Sequence, residues 1–385
     1  MELNSETEVA QFPIRITQQP RIKTLDSLRG IAASIVVIHH VCLVIHTKHS
    51  FMDSTPLYFF ETGHEAVIFF FLLSGFVLTY QAEKQIEFSY QKFIFQRFFR
   101  IYIPYLFVII LTFTAFFYFH GIHKNNGNWI GSLWQKPLTA KVMISHLFLI
   151  GNFDTNFNPV IWSLVHEMRF SIVFPLILWI TKFKVRIVML TAIMCSVIAG
   201  VLILFNAEPS VGFNNSYVYT LHYLSIFIIG SLMSKHKLLI SNWYNKLSSK
   251  KVFWLLALCL LFYTYSRTIV IIPLKLNYPN IALFNEVIVD WLVMLCAAYF
   301  IIFALHITNK SSWLLSFIPL KLGEISYSLY LVHIPVMIVF YNLLYNMPLP
   351  VVMAISVVVS VTAALIINKY IEKPAARIGK LFLNT

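Results

Sequence analysis

The sequence contains few charged residues. Asp, Glu, Lys and Arg together make up only 12% of its 385 residues, whereas 58% are hydrophobic, and the mean hydropathy is +0.74. Although the net charge is +13, a chain this apolar has no water-soluble domain that could present a nucleic-acid-binding surface. We therefore interpret it as an integral membrane protein and expect no nucleic-acid partner.

Cysteines and metal-ligand patterns are also scarce. The four cysteines, Cys42, Cys195, Cys259 and Cys296, lie inside apolar runs and show no metal-ligand spacing. Disulfides and a bound metal are therefore not expected. The first 20 residues are polar, so the first apolar run is predicted to be an uncleaved anchor.

Ten apolar runs are long enough to cross a bilayer. They predict an all-α polytopic membrane protein with about ten transmembrane helices in one integral domain. A shorter run at 140–151 predicts a re-entrant or interfacial helix. The ten runs lie at about residues 27–47, 64–82, 101–119, 161–181, 187–205, 217–234, 251–267, 285–305, 325–345 and 349–371.

Positive charges alternate between the loops. With ten spans, 22 of the 29 Lys and Arg residues fall on one side and 6 on the other. The positive-inside rule then places both termini in the cytoplasm. The predicted organisation is a cytoplasmic tail at 1–22, an integral domain at 23–373 and a cytoplasmic tail at 374–385. The basic face suits anionic lipid headgroups or a phosphorylated cosubstrate.

The first span carries four ionisable side chains, Asp26, Arg29, His39 and His40. Ionisable groups inside a bilayer are costly and are therefore functional candidates. Because a helix turns 100° per residue, Arg29 and His40 share a face roughly 16 Å apart along the axis, which places His40 at mid-membrane depth. His39 points about 100° away. The stripe suits a substrate that is anionic at one end and reactive at the other, and Asp26 is predicted to position Arg29.

Two neighbouring segments carry paired candidates. Arg97 and Arg100, before the third span, share a helix face and are either phosphate ligands or ordinary positive-inside anchors. In the second span, Ser74 and Gly75 interrupt a bulky apolar run. This pair predicts either close helix packing or space for a ligand beside His40.

The fourth span begins with Trp162 in the sequence WSLVHEMR. Its Glu167 is predicted either to pair with a charge on another helix or to orient or deprotonate an imidazole or a substrate hydroxyl. In the long loop before this span, Trp129 and Trp134 are predicted to stack on a sugar or to anchor the chain at the membrane interface.

The ninth span combines hydroxyl groups with a carboxylate and an imidazole. Ser326, Tyr330 and His333 share one helix face, and Glu324 points the opposite way from His333. The face is predicted either to line a polar cavity or to supply hydrogen bonds between helices.

Polar groups at the midplane of such a bundle also suit a proton-coupled transporter or a flippase of a glycan or lipid-linked intermediate. Transporters of this kind often show inverted repeats and matching pairs of broken spans. Neither pattern is present in the sequence. Transport therefore stays the alternative function.

These residues, in this order, resemble the integral-membrane acyltransferase-3 family. Its bacterial members O-acetylate lipopolysaccharide O-antigen, exopolysaccharide and peptidoglycan. The resemblance extends over nearly the whole chain, on six motifs in order. They are LDSLRGIAASIVVIHH, FFFLLSGFVL, RFFRIYIPY, WSLVHEMRFSIVFPL, GEISYSLYLVH and IEKPAARIG.

The resemblance implies a multi-pass protein of the bacterial cytoplasmic (inner) membrane. The implied donor is acyl-CoA, with acetyl-CoA expected, and the implied acceptor is a hydroxyl of a cell-surface glycan or lipid-linked precursor. His40 is implied as the catalytic residue, and Arg97, Arg100 and Arg29 as ligands of the CoA phosphates. The sequence is compatible with a homo-oligomer surrounded by membrane lipids.

The chemistry of His40 is left open between a general base and a nucleophile that forms an acyl-imidazole. Glu167 or His333 is expected to complete the site. Many family members read WSLSVEEQFY in the fourth span, whereas this chain keeps the first Glu as Glu167 and has Met168 in place of the second. A role for a second carboxylate is therefore not carried over.

Overall fold

The structure is a computed structural model that describes residues 22–45, 55–119, 129–205, 213–268, 282–307 and 311–381. All regular secondary structure in these segments is helical, which confirms the predicted all-α membrane class. The helices, numbered in chain order, are α1 Lys23–Ile45, α2 Gly63–Glu83, α3 Tyr90–Phe119, α4 Trp129–Ser132, α5 Ala140–Leu147, α6 Ile161–Ile180, α7 Val185–Leu204, α8 Tyr217–Lys235, α9 Lys237–Tyr244, α10 Ser249–Ser266, α11 Ala282–Leu305, α12 Phe317–Leu343, α13 Leu349–Ile367 and α14 Lys373–Leu381.

Each predicted apolar run falls on a helix within the described residues, and positions 46 and 47 of the first run lie outside them. Within the described segments, nine helices are long and apolar enough to cross a membrane. The predicted seventh run is α10, which qualifies only together with α9, at a bend of 116° between the two. Two of the first three residues of α10 are lysines, so its apolar part is short. The described residues therefore contain nine candidate spans, or ten if the bent pair crosses as one.

The short run before α6 forms α5, whose eight residues extend only about 12 Å. This length is well below the thickness of a hydrocarbon core. The Thr139 side chain caps α5 by accepting a hydrogen bond from the Val142 nitrogen. The Tyr105 hydroxyl of α3 donates to the His146 carbonyl oxygen at 2.7 Å, so α5 is held against α3 without crossing.

Two helix crossings are so close that they require glycine. An added Cβ at Gly30 of α1 would lie 2.3 Å from the Gly323 nitrogen of α12. At the crossing of α2 and α8, an added Cβ at Gly75 would lie 2.1 Å from the Phe227 carbonyl oxygen, and Gly230 meets α2 equally closely. Small residues let membrane helices approach and gain packing contacts. Gly75 therefore serves close packing and does not open a space beside His40.

The end of the chain packs more tightly than a tail would. A π-helical turn at Asn368–Glu372 connects α13 to α14. There α14 lies on α3, with the Phe99 Cβ only 2.9 Å from an ideal Cβ on Gly379. The predicted C-terminal tail is thus a packed helix as far as Leu381. The predicted N-terminal tail lies outside the described residues, except for Ile22.

The cytoplasmic location of the termini stays a prediction, and cysteine labelling tests it. Lys246, after α9, and Lys141, on α5, are both exposed and are assigned to opposite sides of the membrane. In a variant without the native cysteines, we expect a membrane-impermeant thiol reagent to label Lys141→Cys in intact cells. Lys246→Cys should react only after the cells are opened. The opposite pattern would reverse the orientation.

Candidate functional site

A pocket of about 940 Å³, counted to its open mouth, lies between α1, α2, α3, α6 and α12. Its lining combines candidates from separate sequence motifs that only the fold brings together. The predicted site residues in the lining are Arg29, Ser74, Arg97, Arg100, Glu167, Glu324, Ser326 and Tyr330.

Three of these residues, Arg29, Arg97 and Arg100, form what we call the arginine end of the pocket. Arg97 is almost fully buried, and its guanidinium contacts a Glu167 carboxylate oxygen at 2.5 Å and donates to the Ser171 hydroxyl at 3.1 Å. Arg29 pairs with Asp26, one turn earlier on α1, at 3.6 Å. These partners hold guanidinium groups in fixed positions, which suits bidentate binding of an anion.

The carboxylates near the arginine end have their own partners. Glu324 lies in the lining, whereas His333, from which it is predicted to point away, does not. Glu324 pairs with Lys321 at 2.8 Å and with Lys373. Glu372, at the end of the π-helical turn, accepts hydrogen bonds from Ser328 at 2.6 Å and Asn368 at 2.9 Å. π-Helical turns such as this one often occur at functional sites. The two carboxylates are therefore both satisfied, Glu324 by two lysines and Glu372 by a hydroxyl and an amide.

Beyond the arginine end, the lining becomes mostly apolar. Val67, Phe70 and Phe71 of α2 face Leu164 of α6 across the pocket. Ser74 adds a hydroxyl group on the α2 side. A lining of this kind suits a thin, largely apolar chain and offers little to a charged one.

Tyr330 lies at the inner end of the lining. Its hydroxyl hydrogen-bonds with the Ser163 hydroxyl at 2.7 Å, and its ring centroid lies 6.1 Å from that of His333. His333 contacts His40 of α1, with 3.3 Å between the Nε2 atom of His333 and the Nδ1 atom of His40. We call these two residues the imidazole pair. They do not line the pocket and lie beyond Tyr330.

His40 lies in the later part of α1, and its depth in the membrane stays a prediction. The helix begins at Lys23 and ends at Ile45, so His40 is in its last two turns. The Trp129 ring of α4 packs on the imidazole, with centroids 5.3 Å apart. His40 is therefore close to the bundle end opposite the arginines, which we call the far end.

Hydrogen bonds fix the tautomers of the imidazole pair. The His333 Nδ1 atom lies 3.1 Å from the Leu329 carbonyl oxygen, which only accepts, so Nδ1 carries the proton and Nε2 has a lone pair. The His40 Nδ1 atom lies 2.8 Å from the Val36 carbonyl oxygen and likewise carries the proton. The His40 Nε2 atom is then unprotonated. It can act as a base or as a nucleophile.

His39 points elsewhere, as the helix geometry requires. Its Nδ1 atom lies 2.6 Å from the Glu61 carbonyl oxygen. Its ring packs on Gly63, where an added Cβ would lie 2.5 Å from the ring. His39 therefore contacts the start of α2, whereas His40 contacts α12.

The remaining predicted site residues lie outside the reactive region. Asp26 is about 21 Å along α1 from His40, since each residue adds 1.5 Å, so it can act only through Arg29. Trp162 is not in the pocket lining and stacks on His64, with ring centroids 6.2 Å apart. Glu167 contacts Arg97 and has no contact with the imidazole pair among the described residues.

Trp129, Trp134 and Arg169 make contacts that the sequence does not predict. Trp134 is buried and donates from its indole nitrogen to the Phe157 carbonyl oxygen at 2.9 Å, so it is neither an interface anchor nor exposed to a sugar. Trp129 covers His40. Arg169 donates to the Ile150 and Asn215 carbonyl oxygens and fixes two loops. None of these contacts follows a helical periodicity.

The comparisons with known proteins identify one family. The sequence model described as an acyltransferase domain matches residues 22–369 of the chain. Neither the curated proteins nor the solved structures include a match. The matched region contains the pocket residues and the imidazole pair, apart from Glu372.

The Arg97–Glu167 ion pair is expected to stabilise the folded protein. Loss of one partner of a buried pair costs about 3–5 kcal/mol because the other charge is stranded, and less is expected here because the Glu167 side chain is 23% exposed. We expect Arg97→Ala and Glu167→Ala each to lower the thermal unfolding midpoint of the purified protein. The double variant should lose less than the sum of the two.

The exposed pair Lys136–Asp154 is a matched control, because its lysine side chain is 67% exposed. Its double-mutant cycle should give almost no coupling. Additive losses at Arg97 and Glu167 would mean that this ion pair does not form in the membrane protein.

Proposed function

This chain belongs to the acyltransferase-3 family, and from that premise we propose that it transfers an acyl group, expected to be acetyl, from acyl-CoA to a hydroxyl of a cell-surface glycan or its lipid-linked precursor. Family membership makes it a multi-pass membrane acyltransferase. The donor, the acceptor and a location in the bacterial inner membrane are our proposal. The observation that carries it is a pocket with arginines at one end and an imidazole pair just beyond the other.

The arginine end suits the phosphate groups of CoA. Arg29, Arg97 and Arg100 present planar donor groups that match phosphate oxygens. Asp26 and Glu167 hold two of these guanidinium groups in place before a donor arrives. A phosphorylated cosubstrate could thus bind at the membrane surface, where its charge stays near water.

The apolar part of the pocket suits the thin arm that carries the thioester. It leads from Ser74 past Phe70 to Tyr330. The Tyr330 ring lies between the pocket and the imidazole pair, so a rotation of this ring would open the way for the thioester. Only the acyl end of the donor then reaches His40.

The imidazole pair supplies the reactive group. In the tautomer set by Val36, the His40 Nε2 atom can take the proton of an acceptor hydroxyl or attack the thioester carbon. The His333 Nε2 atom accepts a hydrogen bond from the protonated His40 Nδ1 atom and so keeps the His40 ring in this tautomer. Because His40 is close to the far end, an acceptor can approach it there without entering the pocket that holds the CoA.

Mass spectrometry of surface glycans and lipids tests the function and the role of His40 together. Cells that produce the parent protein should carry an acyl mass, expected to be acetyl, that cells without the gene lack. His40→Ala should abolish this mass, since general acid–base help alone contributes about 10²–10⁴ in rate. His39→Ala should retain it, because its ring contacts Glu61 and Gly63 and not His333.

Both variants should be present in the membrane at parental levels. If no acyl mass depends on the gene, the proposed transfer is wrong. If His39→Ala is inactive and His40→Ala is active, the assignment of the reactive imidazole is wrong.

Donor binding makes a separate prediction. Arg100→Gln removes a charge-assisted phosphate contact worth about 1.5–3 kcal/mol, or roughly ten- to a hundredfold in affinity. We expect it to raise the apparent KM for acyl-CoA and to leave the kcat nearly unchanged. Arg186→Gln is the matched control, because Arg186 is exposed and outside the pocket lining. Equal CoA binding by Arg100→Gln and Arg186→Gln would reduce Arg100 to a topology anchor.

A further inference from the structure

A second group of ionisable side chains lies at the far end, and the mechanism above does not use it. Asp290 of α11 is buried, and its carboxylate contacts His64 of α2 at 2.9 Å and His222 of α8 at 3.2 Å. Arg267 contacts Glu65 at 2.7 Å and Asp290 at 3.7 Å. We call these five residues the far-end cluster. Its ion pairs with these two carboxylates keep the Arg267 guanidinium charged.

The hydrogen bonds around His222 set its protonation. Ser225 donates its only proton to the His222 carbonyl oxygen at 2.6 Å, so Ser196 must donate to Ser225 in their 2.7 Å contact. The Ser196 oxygen already accepts from the Trp291 indole. Its contact with the His222 Nδ1 atom, at 3.1 Å, therefore needs a proton on that nitrogen. Since the His222 Nε2 atom donates to Asp290, His222 is the doubly protonated, cationic form.

The hydrogen bond to Asp290 sets the tautomer of neutral His64. The His64 Nε2 atom donates to Asp290, which leaves the lone pair on Nδ1. The His64 side chain is 28% exposed, and its Nδ1 atom has no hydrogen-bond partner among the described residues. His64 thus presents an unprotonated nitrogen backed by a carboxylate.

The position of His64 connects this nitrogen to the reactive site. Val67, Phe71 and Ser74 line the pocket, and His64 lies on the same face of α2, one turn closer to the far end than Val67. The His64 ring stacks on Trp162. The residue before it, Gly63, packs on the His39 ring, whose centroid is 5.2 Å from that of His40.

We propose that His64, oriented by Asp290, is a second catalytic imidazole, which takes the proton from the acceptor hydroxyl at the far end. This inference rests on the proposed acyl transfer and divides the work between two imidazoles. His40 handles the acyl group, and His64 handles the acceptor. The pairing of an imidazole with a buried carboxylate fixes the tautomer and stabilises the imidazolium that forms, as in other enzymes that use a carboxylate–imidazole pair.

The reaction then has two balanced steps. In the first, the His40 Nε2 atom bonds to the thioester carbon, the carbon–sulfur bond breaks, and CoA leaves as a thiolate that takes a proton from water. In the second, the acceptor oxygen bonds to the same carbon while its proton passes to the His64 Nδ1 atom. The carbon–nitrogen bond breaks, its electron pair returns to His40, and His64 later releases the proton to water.

The decisive variant is His64→Gln. A glutamine amide can still donate to Asp290 but cannot accept a proton, so it preserves the structural contact and removes the base. With radiolabelled acetyl-CoA and isolated membranes that contain the full chain, we expect His64→Gln to lower acetyl transfer to the glycan and lipid fraction by about 10²–10⁴. The label should instead stay on the purified variant after cold denaturing separation, and His40→Ala/His64→Gln should lose it.

His306→Gln is the matched control, because His306 is a partly buried histidine that contacts Ser241 and Tyr244 away from the pocket. It should transfer acetyl groups like the parent. Transfer by His64→Gln within twofold of the parent would overturn the proposal, and so would lost transfer without label retained on the protein. A parent protein that transfers no label from acetyl-CoA to the glycan and lipid fraction would instead refute the proposed function on which the inference rests.

Discussion

The structure depends on one constraint: a charge inside the membrane must have a partner. An unpaired ion in hydrocarbon is expensive, so intramembrane charges favour contacts that supply a partner, several of them between helices. Arg97 reaches Glu167 across α3 and α6, and Arg267 reaches Glu65 and Asp290 at the far end. Ion pairing therefore does more than neutralise charge. It selects which helices meet at each end of the pocket and holds the polar groups in fixed positions there.

The glycine crossing of α1 and α12 sets how far the two helices are shifted along each other, and hence the relative depth of their site residues. The backbones touch where Gly30 meets Gly323. His40 is ten residues after the first glycine, and His333 is ten residues after the second. Both helices run from the arginine end to the far end, so equal spacing carries the two imidazoles to the same depth, about 15 Å from the crossing. The contact between Gly30 and Gly323 therefore aligns the imidazole pair as well as the arginine end of the pocket.

Sequence periodicity could predict what lies on one helix but not what faces it. The shared face of Arg29 and His40 follows from α1 alone, and the apolar runs predict the helices. The contact of His64 with Asp290 joins residues 226 positions apart, and no local pattern indicates it. Glu324 pairs with Lys373, which lies 49 positions away in the sequence, and the face of Glu324 on its own helix does not predict this contact. Trp129 covers His40 from a short helix between spans, where periodicity carries little information.

The separation of charge from reactivity explains why the site is long. A phosphorylated donor cannot bring its charges into hydrocarbon without a large desolvation cost. Arginines at one end let those charges stay at the membrane surface, and the mostly apolar lining then admits only the neutral arm. In the proposed transfer, only the acyl group has to pass from the arginine end to the imidazole pair, because the pair lies towards the far end of α1. In the proposed function, a bundle built in this way can use a donor from one side of the membrane for an acceptor on the other, with no transport of the donor itself.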